Sequence, residues 1–176
     1  MMLFAAAALA ACSAGEGSGG ADAAEVVSPG QSEAAANLAE AAAFITENGA
    51  RAGVMTTASG LQYEVLASGP ADGMSPAPTQ VVCVHYRGTF LDGSEFDSSY
   101  SRGQAASFAR NRVISGWVEA LGMMKPGDAW RLYVHPDLAY GAQGRPGIPP
   151  NAALVFDVSL IKLLDGPVPS GVDCAA

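Results

Sequence analysis

From Gly60 to Leu164 the chain is a succession of short β-prone runs broken by glycine, proline and aspartate, with room for one short helix. Leu61–Leu66 alternates apolar and polar residues, as a half-exposed strand does, and Gly69–Pro78 reads as a loop. Thr79–Phe90 is β-branched and aromatic, hence a long strand. Leu91-Asp92-Gly93 then carries the Asp-Gly pair of a tight hairpin, returning through Ser94–Asp97. Val118–Met123 predicts a short helix that Pro126-Gly127 ends, and Asp128–Val134 and Ala153–Leu163 predict two further strands. Antiparallel strands with one short helix define an α+β domain over residues 60–164. Between the last two strands, His135–Ala152 runs eighteen residues without periodicity. A loop that long inside a domain is usually functional or disordered, and its Tyr140, Ile148 and four prolines favour an ordered, functional one.

The residues before this domain differ in kind. Residues 13–31 are glycine, serine, alanine and acids, the composition of a disordered linker. Residues 32–59 are expected to hold a helix and a connector. Ser32 is placed as the N-cap, Leu38, Ala41, Ala42 and Ile45 as the apolar stripe, and Asn48-Gly49 as the stop. The helix reads as lying on the domain, a dimerisation helix being the sharper alternative. The net charge of −8 sits mainly in this arm, because residues 1–50 carry six acids and no base. Such a balance argues against nucleic-acid binding, which needs a basic footprint to displace counterions from phosphates.

Leu3–Ala11 is an apolar run of signal-peptide length that closes on Leu9-Ala10-Ala11-Cys12. That tetrapeptide resembles the bacterial lipobox, although no basic residues precede it. Residues 1–12 are therefore expected to be a signal peptide whose Cys12 becomes lipidated, with Gly15–Gly20 as a tether. No apolar run reaches the roughly 18–20 residues of a spanning helix, so membrane attachment would run through the lipid anchor alone. Serine at position 13 suggests the outer membrane by resemblance to lipoprotein sorting, with the domain facing the periplasm. Cys83, within Val81–Val84, reads as a buried thiol packing as a small hydrophobe. Its pairing with Cys174, on the tail formed by residues 165–176, is left open.

The usual reactive constellations are missing. Two histidines, His85 and His135, do not make a metal cluster, and no nucleophile elbow, phosphate-cradling loop or dinucleotide fingerprint occurs. Asp92–Asp97 resembles a calcium loop only superficially, lacking the alternate oxygen ligands and the distal glutamate. No metal or cofactor is therefore expected. What remains is a set of aromatic and aliphatic residues near turns.

Those residues occur as five motifs in order: Val84–Gly88, Phe96–Ser99, Val113–Trp117, Ala139–Gly141 and Ile148–Phe156. Together they resemble the FKBP-type peptidyl-prolyl isomerase family over about Gly60–Leu164. Glu47–Gly49 followed by Thr56–Tyr63 is similar to bacterial members with an N-terminal helical extension. The resemblance implies an antiparallel half-barrel sheet wrapped around the short helix, with an apolar pocket between them. Catalytic positions would be Asp97, Tyr140, Trp117 and Phe96. Tyr86, Val113, Ile114, Ile148 and Phe156 would bind substrate. Trp117 would be the pocket floor, Tyr140 would donate to one substrate carbonyl and the Ile114 N–H to another. The implied partners are proline-containing unfolded or newly exported polypeptides, with macrolides as a possible ligand class.

Three departures bear on specificity. Ala106 stands where a second pocket phenylalanine is expected, the loop before Pro149 is one residue short with a single Ile148, and Arg145 occupies a position often held otherwise. The first two favour an alternative reading, a binding module or holdase with little turnover. Taken singly, each residue also has an ordinary role: Phe156 as core, Asp97 as a turn residue or ion-pair partner of Arg102, Tyr140-Gly141 as a turn. The joint spacing is what points to a site.

Overall fold

Strand β3 (Val81–Thr89) is the axis of the domain. In the computed structural model, which describes residues 28–165 and 174, it pairs along its whole length with β7 (Leu154–Leu164), from Val81 opposite Leu164 to Thr89 opposite Val155. Its other edge meets two short strands in succession. β4 (Glu95–Ser98) lies opposite residues 87–89, and β5 (Ala106–Ala109) opposite residues 81–84. Beyond β7 come β6 (Ala129–Val134), β2 (Gln62–Ala67) and β1 (Met55–Thr56). All pairings are antiparallel, giving an open seven-stranded sheet curved around α2 (Ser115–Met123).

Local chemistry explains the β3–β4 turn. Gly93 takes φ +85°, the Asp92 carboxylate accepts from the Ser94 N–H at 2.8 Å, and Phe90 N–H donates to the Ser94 carbonyl at 2.9 Å. After β4 the chain bulges away from β3 and returns as β5. Buried Ser99 fills the interval: its N–H donates to the Tyr86 carbonyl at 2.9 Å and its hydroxyl accepts from the Tyr86 N–H at 2.8 Å. A serine side chain thus replaces one rung of the ladder. The strand β5 is not anticipated by Ala106-Ser107-Phe108-Ala109, which has no alternation to read; register with β3 creates it.

Helix α2 buries Gly116, Trp117, Ala120 and Leu121, one face of two turns. Gly116 permits the close approach, since a Cβ there would stand 2.9 Å from Val134 Cγ1. The core joins this face to Val82, Val84, Leu132, Phe156 and Val158 of the sheet.

Helix α1 spans Pro29–Gly49, so it starts earlier than Ser32. Ser28 is the N-cap and Pro29 the first helical residue, whose fixed φ suits that place. The Ser28 N–H donates to Gln31 Oε1 at 3.1 Å, and the Ser32 hydroxyl donates to the Pro29 carbonyl at 2.7 Å within the first turn. Residues 28–31, expected in the linker, therefore belong to the helix and its cap. Residues 13–27 of that linker lie outside the described residues, as do residues 1–12 with Cys12 and most of the tail 165–176.

The helix lies on the domain and is fastened at both ends. Buried Asn48 donates to Gln62 Oε1 at 2.8 Å, and Gln62 Nε2 donates to the Ile45 carbonyl at 2.7 Å. Toward the other end, Asn37 Nδ2 donates to the Pro150 carbonyl at 2.8 Å and Asn151 Nδ2 to the Ala34 carbonyl at 2.9 Å.

Cys83 is fully buried, but as a half-cystine and not a thiol: it is bonded to Cys174, with Cα atoms 5.6 Å apart. Val82 and Val84 point into the core, so the alternation of β3 turns Cys83 to the opposite face, where the tail can reach it.

Candidate active site

Gly88 shows how the sequence builds the site. It pairs with Asp97 on one side and Phe156 on the other, and a Cβ on it would lie 2.6 Å from Phe96 Cζ and 2.9 Å from Phe156 Cε1. Removing that carbon lets the two rings meet edge to face, with centroids 5.6 Å apart. Trp117, held on α2, presents its ring edge to face with Phe156 at 5.3 Å, Tyr86 at 5.3 Å and Phe108 at 6.0 Å. These rings wall a cavity of about 400 Å³ between α2 and the sheet.

Eight of the expected residues line this cavity together: Tyr86, Phe96, Asp97, Val113, Ile114, Trp117, Tyr140 and Phe156. Ile148 does not. It is buried in the core, and its backbone forms a tight turn with Arg145, bonded in both directions at 2.8 and 2.9 Å. Phe108 and Arg112 line the cavity without having been singled out, and Arg145, noted above as a departure in its loop, lines it too. Phe108 lies two residues beyond Ala106 on the same face of β5, so the cavity has its second phenylalanine. No pattern in Ala106–Ala109 marks it; its place follows from the pairing of Phe108 with Val82.

The polar end of the cavity is a closed cluster. The Tyr86 hydroxyl donates to Asp97 Oδ2 at 2.6 Å, Arg102 Nη2 donates to the Tyr86 oxygen at 2.8 Å, and Arg102 Nη1 donates to Asp97 Oδ1. The Arg102 guanidinium also lies 5.4 Å from the Tyr86 ring centroid. Burial pushes the Asp97 carboxyl up, but hydrogen bonds from Tyr86 and Arg102, with the charge of Arg102, outweigh it and hold the group below the usual carboxylate range. Burial, then the bond to Asp97, raises the Tyr86 phenol.

Several donors at the cavity are unspent, the buried Trp117 Nε1 among them. The Tyr140 hydroxyl and the Ile114 N–H have no hydrogen-bond partner among the described residues. Tyr140 is placed by the ordered loop, which folds as two short 3-10 turns, Pro136–Leu138 and Gly141–Gln143. Ile114 caps the N-terminus of α2, and its carbonyl accepts from Trp117 and Val118. No group of acidic, histidine or cysteine side chains able to hold a metal occurs among the described residues.

A half-open antiparallel sheet around one short helix, with an aromatic cavity between them, defines an FKBP-type domain. The chain belongs to that family: residues 73–161 match the FKBP-type peptidyl-prolyl cis-trans isomerase model, and residues 17–65 match the model of the domain amino terminal to FKBP-type peptidyl-prolyl isomerase. The peptidyl-prolyl cis-trans isomerase Mip of Coxiella burnetii is 52% identical over 128 residues, which are 72% of this chain and 55% of that protein. The crystal structure of FkpA from Escherichia coli superposes with a TM-score of 0.73 at 42% identity, over 80% of this chain and 64% of that one. A peptidyl-prolyl cis-trans isomerase structure from Pseudomonas syringae gives a TM-score of 0.68 at 37% identity, over 73% of this chain and 94% of that one. The chain spans about half the length of the curated relatives it matches.

Proposed function

We propose that the chain catalyses cis–trans isomerisation of peptide bonds preceding proline, in unfolded or newly exported polypeptides. The observation that carries this reading is the pair of unspent donors, Tyr140 hydroxyl and Ile114 N–H, beside an aromatic-walled cavity. Rotation about a peptide bond is opposed by ~18–20 kcal/mol of amide resonance, yet it moves no proton and breaks no σ bond. X–Pro isomers are nearly balanced and exchange only over tens to hundreds of seconds. A catalyst therefore needs no nucleophile or cofactor. It needs an apolar site that disfavours the dipolar planar amide and fixed donors that favour the twisted one.

In this reading Trp117 is the floor beneath the proline ring, and Phe96 and Phe156 are walls. Tyr140 and Ile114 bond the substrate carbonyls, and Asp97, held ionised by Tyr86 and Arg102, sets the field at the polar end. The cavity is within the volume range of small-molecule sites, and macrolides are the ligand class implied by the family. Phe108 supplies the aromatic wall that Ala106 lacks, which weakens one of the two grounds for a binding module without turnover.

The chain is further proposed to work in the cell envelope, anchored through lipid on Cys12 at the outer membrane. The lipobox-like run supports this, as does the Cys83–Cys174 bond, because disulfides persist in oxidising compartments. Refolding of a proline-limited substrate, with and without the protein, tests the activity; an unchanged slow phase contradicts it. Retention of Cys12→Ala in the membrane fraction to the wild-type extent contradicts the anchor.

A further inference from the structure

The cavity mouth carries two arginines that form no salt bridge within the chain. Of the seven arginines, four pair with carboxylates, and Arg110 donates to the carbonyls of Val118 and Pro76. The two that form no salt bridge among the described residues, Arg112 and Arg145, are the two that line the cavity, and Arg145 reaches Asp97 only through its charge. They come from different elements. Arg112 ends the short turn Arg110–Arg112 that leads into Val113 and Ile114, while Arg145 stands on the loop of Tyr140. The Arg112 side chain makes no hydrogen bond or ion pair among the described residues. Arg145 places its guanidinium 4.8 Å from the Tyr140 ring centroid, which holds it beside the hydroxyl donor. Asp97 is the one acid lining the cavity, and its oxygens are already spent on Tyr86 and Arg102. On a chain of net charge −8, the mouth is thus a locally cationic opening.

We infer that Arg112 and Arg145 select substrates carrying a glutamate or aspartate next to the proline. This deepens the isomerase reading and rests on it. Both guanidinium groups remain exposed, so they can meet a substrate carboxylate without first being desolvated. Lysine at the same substrate position would be repelled by both. Both arginines line the cavity in which the proline would sit, so residues flanking the proline can meet them.

The test compares kcat/KM of the wild-type chain on Ala-Xaa-Pro-Phe and Ala-Leu-Pro-Xaa peptides, with Xaa as Glu, Leu or Lys. At low ionic strength Glu should exceed Lys by about tenfold at one or both positions, the combined effect of two exposed charge contacts of a few-fold each. The ratio should shrink toward one in about 1 M salt, where the Debye length is about 3 Å. Joint reversal, Arg112→Glu with Arg145→Glu, should invert the preference to Lys. Equal turnover of Glu and Lys peptides at both positions, with Leu peptides turned over, overturns this inference and leaves the isomerase reading intact. A Glu-over-Lys ratio unaffected by salt or by the reversal overturns it as well. Absence of turnover on every peptide contradicts the isomerase reading, and this inference with it.

Discussion

The side-chain amide of Asn37 donates to the carbonyl of Pro150 at 2.8 Å, across 113 residues of sequence. Asn151 answers with a bond to the Ala34 carbonyl, so α1 and the loop of Tyr140 hold one another. Every residue lining the cavity nevertheless lies at or after Tyr86. A chain beginning at Thr57 should therefore fold and turn over short peptides. It loses the bonds of Asn48 and Ile45 to Gln62, and stability should drop by about 1–3 kcal/mol. Urea denaturation reads the change. A truncated chain that does not fold would make α1 part of the core.

Gly88→Ala should be costly out of proportion to its size. The added carbon falls inside contact distance of two rings that pack edge to face, and neither is the far end of a flexible chain. Overpacking of this kind costs about 1–3 kcal/mol. Because the displaced rings are walls of the cavity, kcat/KM should fall with stability. Wild-type values for both would mean that the rings can part without consequence.

Reduction of the Cys83–Cys174 bond releases a closure spanning 91 residues of sequence. Cross-links of that span contribute about 2–5 kcal/mol, so dithiothreitol or Cys174→Ser should lower the denaturation midpoint by a corresponding amount. Cys83 faces away from the core side of β3, and turnover of short peptides by the folded chain should be little changed. Equal midpoints in oxidised and reduced protein would contradict the staple.

Acid should act through Asp97. Its carboxyl is held below the usual range, burial notwithstanding, by the bonds from Tyr86 and Arg102 and by the charge of Arg102. A depressed folded-state value means that its contribution is complete above the unfolded value of about 3.9 and is lost as pH falls through the lower folded value. Activity should be flat between about pH 6 and 8, since bond rotation transfers no proton. Asp97→Asn should remove part of the acid loss below about pH 4. A bell-shaped profile centred near neutrality would instead demand a general acid or base.

How much of this was legible beforehand depended on how each element is stabilised. The β3–β4 hairpin announced itself through a β-branched run and the pair Asp92-Gly93, and α2 through its stop at Pro126-Gly127. The cavity residues were readable only through the resemblance of five motifs, in order, to the FKBP-type family. β5 was not, because four residues containing two alanines become a strand only through their register with Val81–Val84. Phe108 was missed with it. The start of α1 was misplaced because Ser28-Pro29 is as good a beginning as Ser32, and only the bond from the Ser32 hydroxyl to Pro29 separates them. Cys83 looked like an apolar filler since nothing in a Pro/Gly-rich tail fixes where Cys174 comes to rest. Ile148 shares a motif with cavity residues, yet the tight turn at Arg145 sends it into the core.

Catalysis by shape and by two donors is the central claim, and Tyr140 tests it most directly. Trp117→Ala would remove the floor but would also cost ~3–5 kcal/mol of stability as a large-to-small change in a packed core. Phe96→Ala would weaken binding by apolar contact alone. Tyr140→Phe keeps the ring and its contact with Arg145 and deletes only the unspent hydroxyl. One hydrogen bond made better in the twisted state is worth ~1–2 kcal/mol, or about a five- to thirty-fold difference in rate. The measurement is kcat/KM on an Ala-Leu-Pro-Phe peptide, with the denaturation midpoint taken on the same sample. The account predicts an unchanged midpoint and an efficiency reduced about five- to thirty-fold; an unchanged midpoint with wild-type efficiency would contradict it.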